Sequence, residues 1–514
     1  MVHNRMKSLS RPAMISFGLI LSSKILGFMR EIILAYKYGT SYINDAYSIC
    51  ISLPTVLFAI FASGIAQSYI PIVSRIDDEE ERTTFFSNVM TALFLASLVL
   101  CCVCLAFDKN IVQLLAPGFD SKTTELTKKF IDIVIWYLPL HVIFNILSAN
   151  SQVHESFIAP NFCDSVIINV VVIAFILLST KETAQLIVVG QNVSIIIAVV
   201  LLYLFCRREL GTRYRPTISF RDSHLSMLFK LAIPLGISVM ANQINSVTDR
   251  VFSSYMGEGV TSALGYANRV QILFLTLTTT VFMSMCFPRM NALFSDGKKQ
   301  EGLYYVEKGL LLTSLLSIPF MMIIMAYSSP IIRALFQRGV FNDQSTQITS
   351  ECLAFYAIGI PFYAFAEIGN KTLAANLKQK YIMKNTLIMV ASNIILDFIF
   401  VNLVQHKGLA LATSIAGIIS VVVVYHDLYR FELLPDDCGL IKQTSFIITL
   451  SVISIIVSVF LYHCLLTHLG LPIIASFYLA LAAFGITYIV LCIVFKVQIF
   501  YWLLTKIRVF GRKR

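Results

Sequence analysis

Apolar runs of about 20 residues alternate with short polar clusters along the whole chain. That is the length a helix rising about 1.5 Å per residue needs to cross a hydrocarbon core of about 30 Å. About 14 such runs are predicted, centred near residues 25, 58, 95, 139, 170, 195, 238, 275, 315, 359, 393, 418, 454 and 483. The pattern predicts an all-α polytopic membrane protein.

The pattern also occurs twice, displaced by about 220 residues. Arg30, Tyr36 and Gly39 correspond to Arg250, Tyr255 and Gly259, and Ile70-Pro71-Ile72 corresponds to Phe287-Pro288-Arg289. Pro117-Gly118-Phe119 corresponds to Arg338-Gly339-Val340-Phe341, and Trp136 through Pro139 corresponds loosely to Tyr356 through Pro361. Two six-helix lobes are therefore expected, at residues 1–206 and 225–430, joined by a cytoplasmic linker at 207–224. An even number of spans in each lobe makes the repeats parallel, related by a pseudo-two-fold along the membrane normal. Two further spans are expected within 431–495, and a basic amphipathic tail at 496–514 is expected to lie on the cytoplasmic surface.

Composition narrows the class. With 57% hydrophobic and only 13% charged residues, no soluble fold fits. The cations are distributed unevenly. Arg207, Arg208, Arg213, Arg215 and Arg221, then Lys298 and Lys299, then Lys371, Lys378, Lys380 and Lys384, fall on the side of the N-terminal Arg5, Lys7 and Arg11 and of the basic tail. The positive-inside rule then predicts both termini in the cytoplasm, and the net charge of +11 calls for no nucleic acid. Lys24 interrupts any signal-type apolar core, so the first span reads as a retained helix. Short loops argue against an enzyme, and the acidic run Asp77-Asp78-Glu79-Glu80-Glu81 reads as a solvated loop. The eleven cysteines show no zinc-ligand spacing and read as small thiols in apolar helices.

The candidate chemistry lies in charges placed inside apolar spans. Lys24, Arg30 and Glu31 interrupt the run from Ala13 to Tyr36, where a charge near the bilayer centre costs roughly 2.5–3.5 kcal/mol and is expected to face a wet cavity. Lys24 is too deep to snorkel, although Arg30 and Glu31 alone could reach an interface. Arg250 and Arg269 add cations from the second half, with Asp249 giving Arg250 an alternative, structural role. Fixed cations in a cavity suit an anionic headgroup such as a pyrophosphate-linked sugar. Asp45 is expected to pair with a cavity arginine until phosphate arrives. Asn393 and Asp397, four apart on one helix face, together with Thr413 and with Asp249, form a second constellation. Its hard oxygen atoms suit Na⁺ or a proton relay, or equally a polar network that holds helices together.

The run Ser23-Lys24-Ile25-Leu26-Gly27-Phe28-Met29-Arg30-Glu31, with Asn44-Asp45-Ala46-Tyr47, Leu53-Pro54, Ala116-Pro117-Gly118-Phe119, Tyr266-Ala267-Asn268-Arg269, Gln337-Arg338-Gly339-Val340-Phe341 and His406-Lys407-Gly408-Leu409, resembles the MurJ (MviN) family of lipid II flippases, in the multidrug/oligosaccharidyl-lipid/polysaccharide exporter superfamily. The resemblance runs over nearly the whole chain. It implies 14 helices in two lobes and a cationic cavity in a bacterial cytoplasmic membrane. Alternating access would there carry undecaprenyl-pyrophosphate-linked peptidoglycan precursor outward. It places Lys24 where the family usually has arginine, Arg30 and Arg269 on cavity arginines, Asp45 on a family acid, and Asn393 and Asp397 on a sodium site that some members have. Where the family commonly has an arginine pair after Leu53-Pro54, this chain has Phe58 and Ala59. A monomeric transporter is expected, without cofactor, coupled to Na⁺ or to the membrane potential. A flippase for another undecaprenyl-linked glycan, of capsule or teichoic type, and a drug/cation antiporter of the same superfamily are the alternative readings.

Overall fold

The computed structural model describes the backbone of residues 2–61, 63–219, 222–435 and 437–512. The cations expected at Arg5, Lys7, Arg11, Arg221, Arg508, Arg512, Lys513 and Arg514 fall outside the described side chains. Every regular element among the described residues is helical. The first repeat runs through α1 (Val2–Tyr38), α2 (Tyr42–Phe61), α3 (Ser63–Val73), α4 (Glu79–Ala106), α5 (Asp108–Leu115), α6 (Ser121–Val134), α7 (Tyr137–Val153), α8 (Ile158–Phe162), a π-helical turn (Cys163–Ile167), α9 (Ile168–Leu178) and α10 (Leu186–Glu209). The second runs through α11 (Ser223–Ser254), α12 (Val260–Met285), α13 (Phe287–Ser295), α14 (Lys299–Phe336), α15 (Asp343–Ala375), α16 (Gln379–Val404) and α17 (His406–Arg430). Then follow α18 (Asp437–Thr467), α19 (Ile473–Val494) and α20 (Gln498–Arg512). Among the described residues ten helices are long and apolar enough to cross a membrane, and α12 with α13, bent by 45°, makes an eleventh. The spans expected near residues 25, 58 and 238 lie in helices that hold residues outside the described set.

The repeat is written in the backbone more clearly than in the side chains. Phe107, between α4 and α5, has φ −117° and ψ 24°, and Tyr327, inside α14, has φ −121° and ψ 26°. Pro330 cannot donate the helical hydrogen bond and helps to break α14, yet no proline stands near Phe107. The same bend without the same residue belongs to the fold. Left-handed residues recur at Glu155 and Leu377 (φ 55° and 57°) and at Gly211 and Glu432 (φ 65° and 54°), each just past a helix end. Asp120 caps α6 by accepting from the Thr123 N–H at 3.0 Å, and Asn342 caps α15 by accepting from the Ser345 N–H at 2.9 Å.

By contact the chain divides into two compact units. The first holds residues up to Ser262 together with 338–341, and the second holds the remainder. In the first unit α11 packs on α2 and α3, α7 on α4 and α10, and α1 on α9 and the π-helical turn. Lys37, at the end of α1, donates to the Ser179 carbonyl at 2.6 Å and to the Leu177 carbonyl, so a cation caps the C-terminus of α9. In the second unit α15 packs on α14 and α17, and Tyr327 shares a hydrogen bond with Ser458 at 2.7 Å, tying α14 to α18. The C-terminal α20 lies on α14 with Ile499 buried and Phe500, Trp502 and Leu503 packed on the same core. Among its described apolar side chains these four are thus covered at least in part by protein, with Tyr501 and Leu504 left exposed.

Candidate functional site

In the first unit α1 is helical through Gly27 and carries its three charges in distinct settings. Lys24 is exposed, the Arg30 side chain is 21% exposed, and the Glu31 side chain is 4% exposed. Arg30 Nε and Nη2 both lie 3.3 Å from Glu31 Oε1. Successive helix residues point about 100° apart, so this pair forms only because both side chains lean together. Tyr47 of α2 and Tyr137 of α7 lie within electrostatic reach of the guanidinium. The neighbouring carboxylate offsets the cost of desolvating the guanidinium.

Asp45 has another task. Its Oδ2 accepts from the Gly259 N–H at 2.6 Å and its Oδ1 from the Ser262 N–H at 2.8 Å, at the start of α12. A buried carboxylate there satisfies N–H groups that have no partner within the helix and meets the positive end of its dipole. Both oxygens go to backbone amides, and the acid beside Arg30 is Glu31. Close by, the Tyr42 N–H donates to Glu258 Oε1 at 3.0 Å.

Two glycines close this end of the first unit in matching ways. A Cβ on Gly118 would lie 2.6 Å from Tyr255 Cα, and the Gly118 N–H donates to Ser254 Oγ at 3.1 Å. A Cβ on Gly339, at φ 64°, would lie 2.3 Å from the Tyr36 carbonyl oxygen, and the Val340 N–H donates to that oxygen at 2.9 Å. Gly118 corresponds to Gly339, and Tyr255 to Tyr36. Each repeat therefore sets its glycine turn on the end of the other repeat's first helix.

His141 and Asp164 of this unit were not singled out from the sequence. The Phe58 ring stands 4.2 Å from the ring of His141, which lies 5.1 Å from the ring of Tyr137. An aromatic pair thus fills a place where the family resemblance calls for arginine. Asp164 lies exposed in the π-helical turn, within electrostatic reach of Lys24 and, through Tyr137, linked to Arg30. The available signal was a lone acid inside the apolar span Ile158–Leu178.

The second unit holds the other candidates. Asn393 Nδ2 donates to Asp397 Oδ2 at 2.9 Å, and both residues are buried. Thr413 Oγ1 donates to the Leu409 carbonyl of its own helix at 3.0 Å, and its own carbonyl accepts from the Tyr363 hydroxyl at 2.9 Å. Arg269 is exposed on α12. Asp249 and Arg250 lie half-buried near the end of α11 in the first unit, with Lys24 and Arg30, while Arg269, Asn393, Asp397 and Thr413 belong to the second.

The family model described as lipid II flippase MurJ matches residues 34–480. The lipid II flippase MurJ of Thermosipho africanus is 30% identical over 423 residues, covering 80% of this chain and 84% of the relative. A probable lipid II flippase MurJ of Rickettsia prowazekii is 27% identical over 426 residues, covering 81% and 83%. A solved structure of lipid II flippase MurJ in an inward closed conformation superposes with a TM-score of 0.80 at 26% identity, covering 94% of this chain and 98% of that one. The family model runs from the end of α1 into α19, and its match agrees with a relative 30% identical and with the superposition: this chain is a member of the lipid II flippase MurJ family.

Proposed function

We propose that the protein translocates lipid II, the undecaprenyl-pyrophosphate-linked peptidoglycan precursor, from the cytoplasmic to the outer leaflet by alternating access. The observation that carries this reading is the pair of cations Lys24 and Arg30 on α1, inside a chain that matches the family through residue 480. A pyrophosphate carries about two charges and cannot enter hydrocarbon without fixed partners. Lys24, Arg30, Arg250 and Arg269 supply them in this reading. Glu31 balances Arg30 while the site is empty, and Asp45 secures the α11–α12 turn that closes the site. No bond is made or broken, so the protein acts as a transporter and not as an enzyme. The chain spans the cytoplasmic membrane 14 times as a monomer with both ends inside. In this reading Asn393, Asp397 and Thr413 of the second unit supply oxygen ligands to a coupling Na⁺. A second cargo, another undecaprenyl-linked glycan, is favoured by the Phe58–His141 pair, which offers one phosphate contact fewer than an arginine would.

Complementation tests the reading in cells depleted of their own lipid II flippase, with wild type, Arg30→Ala and Arg269→Ala at matched membrane levels. Growth with the wild type and lysis with both variants is expected. A correctly inserted wild type that fails to rescue points to the other glycan. Rescue by both variants refutes the cationic site.

A further inference from the structure

Asp164 sits in the one π-helical turn among the described residues, Cys163–Ile167, where the helix is locally widened. The corresponding stretch of the second repeat, in α16, is ordinary α-helix from Gln379 to Val404, so the repeated fold does not require the widening. The turn packs on α1, and Asn169, one turn further along, brings its Oδ1 within 3.9 Å of where a Cβ on Gly27 would be. Lys24 lies about 21 Å before the end of α1 at Tyr38, and Asp164 about 9 Å after the start of its span at Ile158. Lys37 at the end of α1 reaches the end of α9, so the two helices cross a core of about 30 Å in the same direction, and these distances meet at one depth. Both side chains are exposed there, close enough for the Lys24 charge to act on Asp164, yet they form no direct ion pair. On this count Arg30, beside Glu31, lies further toward the outer face, and Tyr137 feels the charges of both Asp164 and Arg30.

We propose that Asp164 is a positioning residue for the anionic headgroup: it attracts the Lys24 ammonium while the site is empty and yields it to the cargo's pyrophosphate, making Lys24 an entry station inward of Arg30. The inference rests on the pyrophosphate-lipid reading above. An ammonium at that depth without a nearby carboxylate would be costly, and one locked in a contact pair would be slow to change partner. A carboxylate within reach but out of contact avoids both. Asp164 then competes with the cargo, weakening binding and speeding release.

The test is equilibrium binding of undecaprenyl pyrophosphate to the purified full chain in nanodiscs, alongside lipid II flipping in proteoliposomes. Asp164→Asn is expected to bind about fivefold tighter and to flip more slowly, at unchanged melting temperature. Asp164→Glu, which restores the charge, is expected to return both values toward wild type. In a Lys24→Met background, Asp164→Asn is expected to leave affinity unchanged. Wild-type affinity in Asp164→Asn, or a tightening that persists without Lys24, overturns the proposal, as does a loss of melting temperature with no change in affinity, which marks a purely structural acid. If Asp164→Asn does not accumulate in the membrane, Asp164→Ser replaces it with the same expectations. A folded wild type that does not bind undecaprenyl pyrophosphate overturns the cargo reading as well, and that wild-type arm separates the two failures.

Discussion

Replacing Asp45 by asparagine changes almost no volume and removes one negative charge from a site that is 1% exposed. The side chain now meets the Gly259 and Ser262 N–H groups, at 2.6 Å and 2.8 Å, with one oxygen and one NH2 instead of two oxygens. One amide keeps a neutral acceptor and the other faces a donor. A hydrogen bond to a charged group contributes about 1.5–3 kcal/mol, and a stranded buried donor costs about 1–3 kcal/mol. The net loss is therefore about 2–4 kcal/mol, with Asp45→Ala at the upper end. Thermal unfolding of purified protein in detergent should show a lower midpoint for Asp45→Asn and a lower one still for Asp45→Ala. Limited proteolysis should cut both variants faster within residues 255–259. If Asp45→Asn melts with the wild type and resists protease equally, while flipping is abolished, the clamp is the wrong account and Asp45 acts on the cargo.

Gly339→Ala should destabilise by about 1–3 kcal/mol, because its Cβ would lie 2.3 Å from a backbone oxygen that no rotamer change can move. The φ of 64° adds roughly 1–2 kcal/mol. Gly118→Ala should behave alike without the dihedral penalty, and a melting curve unchanged in both would show the turns to be looser than described. At the mouth of α6, Asp120→Ala should cost about 1 kcal/mol by loss of the N-cap. Hydrogen bonding to Thr123 holds the Asp120 carboxyl below its ordinary value, so its contribution is present above about pH 4 and is lost as pH falls further. The gap in melting temperature between wild type and Asp120→Ala should accordingly close in acid, with a pH-independent gap counting against the cap.

Long elements and their duplication were legible in the sequence, since a span is a run of apolar residues and a repeat keeps its spacing. The charges on α1 were legible for the same reason, as interruptions in such a run. Which group each charge meets was not. Asp45 reaches amides more than two hundred residues away, and nothing around Asn44-Asp45-Ala46 encodes that partner. The π-helical turn that presents Asp164 adds a residue to one turn of a helix with few polar positions, Asn161, Asp164, Ser165 and Asn169, too few to fix a period whose shift could betray it. The bend at Phe107 matches that at Tyr327 without a shared proline, so it is set by tertiary packing. The tail from Lys496 shows the opposite limit: its amphipathic pattern was plain, but an apolar stripe reads the same whether lipid or α14 covers it.

The crossed placement of Gly118 on Tyr255 and Gly339 on Tyr36 bears on ancestry. A single repeat carries both a tyrosine at the end of its first helix and a glycine turn after its third span, so two copies of one such chain would already possess the contact in both directions. That is the self-complementary geometry of an isologous homodimer. In one chain the two halves need not match elsewhere, and Lys24 and the π-helical turn stand in only one of them, while each glycine turn is fitted to the other half's first helix.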